Sequence, residues 1–157
     1  MTATRAARPI TIYVLVGCLL FLSLGAFVGG ISFLVDPTGA ALGVPMSWLK
    51  GSPFPDYFIP GLFLLVVFAI APLLISYGLL TRPDWPLLGP VTAATREHWA
   101  WTGTVLVSGL LIVFEVVEYF SIQYFFFLQP VMAALALIML ALAFRPVVRA
   151  HYAAFAA

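Results

Sequence analysis

Residues 10–35, with the sequence ITIYVLVGCLLFLSLGAFVGGISFLV, contain no charged side chain. A helix that crosses a bilayer needs about 20 mostly apolar residues, and this run exceeds that length. Residues 57–80, 99–119 and 122–144 form three further runs that are long and apolar enough to cross. The sequence therefore predicts an all-α fold, a bundle of four transmembrane helices.

The composition is typical of a chain solvated by lipid. Hydrophobic residues make up 64% of the 157 residues, charged residues make up 8%, and the mean hydropathy is +1.13. A water-soluble domain of this length would need more polar surface. We expect a single membrane domain, residues 1–157. The first run is longer than the apolar core of a signal peptide, about 7–15 residues, so we interpret it as a retained anchor.

The basic residues predict the orientation in the membrane. Six of the seven lie before the first run, in the 81–98 loop, or in the 145–157 tail: Arg5, Arg8, Arg82, Arg96, Arg145 and Arg149. Only Lys50 lies in the 36–56 loop. Because basic residues accumulate in cytoplasmic loops, we expect both termini and the 81–98 loop to be cytoplasmic.

The 36–56 loop is predicted to form a compact cap over the outer membrane surface. Its first four residues, Asp-Pro-Thr-Gly at 36–39, suit a type I turn. The prolines that follow restrict the chain, and side chains such as Met46 and Trp48 are too apolar to extend into water. Asp56 is a plausible N-cap for the second helix.

Small residues and prolines predict features of the helices. Gly25 and Gly29 form a small-xxx-small pair, which favours close packing against another helix of the chain or against a second copy. Pro72 should kink the second helix, and Pro130 should bend the fourth within its first two turns.

Glu115 and Glu118 are the carboxylates that lie inside an apolar run. Three positions apart, they share one helix face. At about 1.5 Å per residue they lie about 24 and 28 Å from the start of the third helix, toward the outer leaflet. The same face carries Thr104, Ser108 and Leu111. These glutamates are the candidate functional residues.

Three interpretations of the glutamate pair remain open. Intramembrane carboxylates normally face a protein interior or a wet cavity and have a partner. The pair could bind groups of the cap, where the candidate residues are Asp36, Trp48, Lys50, Ser52 and Asp56. It could also form a cation or proton site, or an interface with a charged partner subunit.

Several chemistries lack the residues that they need. Cys18 is the only cysteine, which excludes an internal disulfide and a paired-thiol site. His98 and His151 flank the predicted membrane runs, so paired axial haem ligands are not expected, and His98 is interpreted as a helix-start residue. We predict no catalytic residue, no metal site and no nucleic-acid partner. No cofactor is predicted, although a bound lipid or lipid-like pigment is left open.

Short turn and cap motifs resemble those of one protein family. They are DPTG at 36–39, LG at 42–43, GSPFPDY at 51–57 and IPG at 59–61, with HWAW at 98–101 and LQP at 128–130. They resemble a family of small four-helix bacterial integral membrane proteins without an assigned activity. The resemblance covers most of the chain and implies the same architecture, the outer cap and the bacterial cytoplasmic (inner) membrane. The glutamate pair is not part of the family pattern, which indicates a specialised role here.

Two functions from different classes follow. The first is a non-catalytic accessory subunit of a larger membrane complex, favoured by the short termini and by the aromatic cluster YFFF at 124–127, which could pack on a partner. The alternative is a small oligomeric transporter or channel that uses Glu115 and Glu118 for a cation or proton. A lipid-handling enzyme with Glu115 as the base is a third, weaker interpretation, since no nucleophile is visible.

Overall fold

The computed structural model describes residues 8–122 and 127–153, apart from the side chains of Ser121 and Ile122. In these ranges every regular element is helical. The long helices are α1 (Ile10–Val35), α2 (Phe58–Thr81), α4 (Trp99–Ile122) and α5 (Leu128–Ala143), and the short ones are α3 (Gly89–Thr95) and α6 (Pro146–Tyr152). By length and composition, α1, α2 and α4 can each cross a membrane. The pair α5 and α6, bent by 67°, forms a fourth apolar unit.

The predicted helical runs agree with these elements, with shifts at their ends. The first helix has the predicted bounds, and the second is displaced by one residue at each end. The third continues to Ile122, three residues beyond the predicted 119. The described part of the fourth is Leu128–Ala143, because residues 123–126 of the predicted 122–144 run lie outside the described residues. The orientation in the membrane stays a prediction.

The four long helices form a bundle in which α1 contacts α2 and α5, and α4 contacts the same two helices. The core consists of fully buried apolar side chains from all of them, including Ile12, Leu15, Leu19, Phe68, Leu79, Ala100, Ala136 and Met139. Outward-facing side chains are also apolar, among them Leu24, Val28, Leu106 and Leu137. A helix that is hydrophobic all round is solvated by lipid, so packing and internal hydrogen bonds hold the helices together.

A close contact between α1 and α2 lies at Gly30 and Gly61. A Cβ on Gly30 would lie 3.0 Å from the Gly61 carbonyl oxygen, and one on Gly61 would lie 2.6 Å from the Phe33 Cβ. The predicted close packing of Gly25 and Gly29 within the chain is not seen among the described residues, where a Cβ on Gly25 meets nothing within 4 Å and one on Gly29 makes only an ordinary contact with Leu64. Packing of this pair against a second copy stays a prediction. Gly25 is exposed because the buried stripe of α1 runs through Ala26 and Gly30.

The irregularity expected at Pro72 takes the form of a π-helical stretch, Leu64–Ile70, that ends just before it. Proline removes one backbone donor and crowds the carbonyl four residues earlier, which favours local rewinding. The Ser23 hydroxyl of α1 donates a 2.8 Å hydrogen bond to the Ala69 carbonyl oxygen in this stretch. A hydroxyl group of α1 thus supplies a hydrogen bond to a backbone carbonyl in the π-helical part of α2.

Residues 36–56, hereafter the cap, fold compactly at one end of the bundle. The Asp36 carboxylate accepts hydrogen bonds from the Thr38 hydroxyl (2.6 Å), from the Thr38 amide (3.1 Å) and from the Ala41 amide (2.9 Å). These bonds, led by the Thr38 hydroxyl, lower the pKa of Asp36. The Tyr57 hydroxyl donates to the Pro45 carbonyl oxygen at 2.9 Å. Asp56 accepts a bond from the Phe58 amide at the start of α2, but the N-cap position itself is Tyr57, one residue after the predicted one.

We predict that Gly61→Ala destabilises the bundle by about 1–3 kcal/mol, because the new methyl group overlaps the Phe33 side chain. Gly25→Ala is the matched control, since it adds the same group to a helix in open space. It should be neutral or stabilising by up to about 1 kcal/mol. Unfolding midpoints in detergent micelles measure both variants. Equal midpoints for the two would contradict the assignment of the helix contact.

Candidate functional site

Glu115 lies at the interface of α4 and α5, toward the cap end of the bundle. Its side chain borders a lateral cavity of about 250 Å³, hereafter the α4–α5 groove. The lining residues are otherwise apolar apart from Tyr119 and Gln129: Ile112, Val116, Tyr119 and Phe120 of α4, with Gln129, Pro130 and Ala133 of α5. Glu115 is only 8% exposed, so this carboxyl group is enclosed by the two helices.

One oxygen of Glu115 lacks a partner. Its Oε2 atom is buried and accepts no hydrogen bond from the part of the chain that the structure describes. The hydroxyl groups predicted on the same face are already engaged: Thr104 donates to the Ala100 carbonyl oxygen at 2.9 Å, and Ser108 donates to that of Thr104 at 2.7 Å. A buried polar group without a partner is costly, particularly in lipid. Glu115 is therefore positioned to accept a bond from outside the described chain.

Glu118 has different surroundings although it lies one turn away. It is half-buried, and the Gln129 side chain lies close to its carboxylate. It also lies near Tyr57: burial raises the pKa of Tyr57, and the Glu118 charge raises it further. Glu118 therefore faces α5 and the base of the cap, whereas Glu115 faces the groove.

The cap residues proposed as partners have other roles where the structure describes them. Asp36 and Asp56 accept backbone hydrogen bonds, and Ser52 accepts one from the Phe54 amide at 3.3 Å. Lys50 is exposed and forms no ion pair with Glu115 or Glu118. Trp48 lies in the Met46–Leu49 turn, which contacts α4.

A second cluster, at the opposite end of the bundle, was not predicted. The tail expected at 145–157 contains α6, which packs against the start of α4. The Tyr152 hydroxyl donates to the Leu79 carbonyl oxygen at 2.6 Å, and the His98 amide donates to the Tyr152 carbonyl oxygen at 2.8 Å. Arg149 forms an ion pair with Glu97 at 3.1 Å. The carboxyl-terminal part of the described chain is thus fastened to α2 and α4.

The structure confirms the prediction that His98 lies at the start of a helix. Its Nδ1 accepts a hydrogen bond from the Ala100 amide at 3.2 Å, and its Nε2 lies 3.3 Å from the Pro83 carbonyl oxygen. This pattern requires the neutral ring, with the proton on Nε2. Burial is the main cause that lowers the pKa of His98, and the nearby Arg82 lowers it further. The residue therefore caps the start of α4.

The sequence indicated Glu115 and Glu118 as candidates, but it did not indicate the residues that surround Glu118 and make its environment differ from that of Glu115. Gln129 lies on another helix, and Tyr57 is the last residue before α2. The LQP motif at 128–130 marks the relevant turn of α5, but it does not show which glutamate that turn meets.

The described residues contain no group of three or more histidine, cysteine, aspartate or glutamate side chains that could hold a metal ion. No protein-family model matches the chain, and neither a curated protein nor a solved structure does. The function is therefore inferred from the geometry of the chain itself.

We predict that acidification destabilises the protein through His98. The pKa of this ring is lower in the folded state than the ordinary value of about 6.5, so its stabilising effect is complete above that pH. The effect is lost as the pH falls from about 6.5 through the folded-state value, because protonated Nδ1 no longer accepts the Ala100 amide. Unfolding midpoints between about pH 8 and pH 5 measure this dependence.

His98→Asn is the matched variant, since asparagine can cap the helix without titrating. Its midpoint should depend less on pH than that of the unmodified protein. His151→Asn controls for the other histidine. An unchanged pH dependence in His98→Asn would contradict the role of the neutral ring.

Proposed function

We propose that the protein is a non-catalytic accessory subunit of a larger complex in the cytoplasmic membrane of a bacterium. In this proposal a transmembrane helix of the partner occupies the α4–α5 groove and donates a hydrogen bond to Glu115. The bacterial source rests on the family resemblance of the cap and turn motifs. The observation that carries the role is the enclosed Glu115 oxygen, which has no hydrogen-bond partner in the part of the chain that the structure describes.

The chemistry of the groove suits a helix rather than a reaction. Apart from Tyr119, Glu115 and Gln129, its described lining consists of aliphatic, aromatic and proline side chains, without a serine, cysteine or histidine among them. Aliphatic and aromatic walls pack well against an apolar helix. A lysine, arginine or amide side chain on that helix would supply the donor that Glu115 lacks, because intramembrane carboxylates usually pair with such groups.

The groove is also accessible from the side of the bundle. Val116, Tyr119 and Phe120 are exposed, at 49%, 57% and 73%, and they form the outer wall beside Glu115. A partner helix could therefore approach from the lipid phase without displacing the core.

Transport is the second candidate, supported by the two carboxylates on one helix turn beneath the cap. Toward the opposite end of the bundle, the same face of α4 continues with Leu111 and then with Ser108 and Thr104, whose hydroxyls bond to their own helix. A polar path across the membrane would need residues from a second copy of the chain. The partner in the groove would then be another copy of α4 or α5.

We predict that Ala133→Phe removes the partner from complexes purified from native membranes in mild detergent. Ala133 lines the groove, so a phenyl ring there fills space that the partner helix needs. Ala134→Phe is the matched control, because Ala134 is exposed and does not line the groove. Quantitative mass spectrometry of the purified material measures the partner. Retention of the same partner by both variants would refute groove docking.

We predict that Glu115→Leu lowers the affinity for the partner by about tenfold to a hundredfold, which corresponds to one hydrogen bond of a charged group. Glu115→Gln keeps an acceptor, so its affinity for the partner should fall less.

Flux of protons or cations into vesicles containing the Glu115→Gln, Glu118→Gln double variant separates the two candidate functions. Lost assembly with normal flux would exclude transport, and lost flux with intact assembly would exclude the accessory role.

A further inference from the structure

The bend between α5 and α6 creates a second cavity, far from the groove. Because α6 turns by 67° from the direction of α5, it lies across the end of the bundle and faces the start of α4. A cleft of about 350 Å³ opens there, hereafter the α6 cleft. It is lined by Glu97, Phe144, Pro146, Arg149, Ala150 and Ala153.

The α6 cleft lies at the end of the bundle, beside a tryptophan and a half-exposed phenylalanine. Trp101 lies beside it in the first turn of α4, donates to the Ala143 carbonyl oxygen at 2.8 Å and packs edge-on against Phe144 at 5.4 Å. Tryptophan rings concentrate at the boundary between lipid tails and water. Phe144 is half exposed and lines the cleft, so an acyl chain and a headgroup could contact the two sides of one site.

One oxygen of the Glu97 carboxylate, at the cleft, accepts no hydrogen bond from the described residues. The Glu97 side chain is only 8% exposed, and both hydrogen bonds from Arg149, of 3.3 Å and 3.1 Å, go to its Oε1 atom. Its Oε2 atom is buried and has no hydrogen-bond partner among the described residues. A buried carboxylate oxygen normally accepts at least one bond, so Glu97 lacks one donor.

Arg149 adds the opposite charge at the mouth of the same cleft. Its side chain is 52% exposed although it pairs with Glu97, and its guanidinium lies 5.5 Å from the centre of the Trp101 ring. Arg145 and Arg96 are exposed nearby in the chain, next to Phe144 and Glu97. An anionic group is therefore favoured at the rim, and a cationic donor is favoured deeper, at Glu97.

We propose that the α6 cleft binds the headgroup of an aminophospholipid. The ammonium group donates to Glu97 Oε2, and the phosphate lies against Arg149. A primary ammonium carries three donors and a positive charge, which is what Glu97 lacks. A trimethylated ammonium has no donor, and an anionic headgroup without an amine satisfies only the arginines. This site does not depend on the function proposed for the groove.

The test is competition between lipids that differ only in the headgroup. Delipidated protein in detergent is mixed with equal amounts of phosphatidylethanolamine, phosphatidylcholine and phosphatidylglycerol that carry identical acyl chains, and native mass spectrometry counts the lipids retained. We expect phosphatidylethanolamine to be retained about tenfold over phosphatidylcholine, the factor for one charge-assisted hydrogen bond. Equal retention of these two, or stronger retention of phosphatidylglycerol, would overturn the proposal.

Two variants locate the preference. Ala150→Phe fills the cleft and leaves the Glu97–Arg149 pair intact, so it should abolish the preference for phosphatidylethanolamine. Val147→Phe is its control on α6, because Val147 is exposed and does not line the cleft. Glu97→Gln should reduce the preference over phosphatidylcholine, because the amide carries no charge to attract the ammonium group. A preference that survives Ala150→Phe would place the lipid elsewhere and refute the site.

Discussion

The hydrocarbon interior of a bilayer supplies no hydrogen bonds, and this constraint explains the polar contacts inside the bundle. Ser23 of α1 bonds to the Ala69 carbonyl oxygen in the π-helical part of α2. Thr104 and Ser108 bond to the backbone of their own helix. These polar side chains inside the bundle bond to backbone carbonyl groups. A buried polar atom that forms no such bond is therefore a candidate for a functional role.

Glu115 and Glu97 are such exceptions, and they lie near opposite ends of α4. Each has one buried oxygen without a partner in the described chain, and each borders a cavity. Their surroundings differ in a way that separates their proposed ligands. Glu115 is bordered by apolar walls and suits a helix that carries a single donor. Glu97 is paired with an arginine and suits a headgroup that carries both charges.

The helix contacts explain why these two positions can be held rigidly. Gly30 and Gly61 bring α1 and α2 together near the cap, and the Tyr57 ring stacks on Phe33 of α1 at 4.6 Å. At the other end, Tyr152 ties α6 to α2, and the His98 amide ties α4 to α6. Helices without a hydrophobic force between them need such close approaches and interhelical bonds. The two cavities lie between elements that are fixed at both ends.

The sequence by itself determined the features that depend on neighbouring residues. The length of residues 10–35 is enough to predict a spanning helix, and the turn at Asp36 and the helix start at His98 are local hydrogen-bond patterns. Only the tertiary structure decided the features that depend on how the helices are rotated and paired. Gly25–Gly29 has a suitable spacing, but α1 turns Gly30 toward α2.

The two glutamates show the same limit. They are three positions apart, which places them about 60° apart around the helix, and that angle sends Glu115 into the groove and Glu118 toward the cap. The docking of α6 depends on a bond between Tyr152 and Leu79, 73 residues apart. Residue spacing along one helix cannot predict the surroundings of the two glutamates or the docking of α6, because both depend on which surfaces of the other helices face these residues.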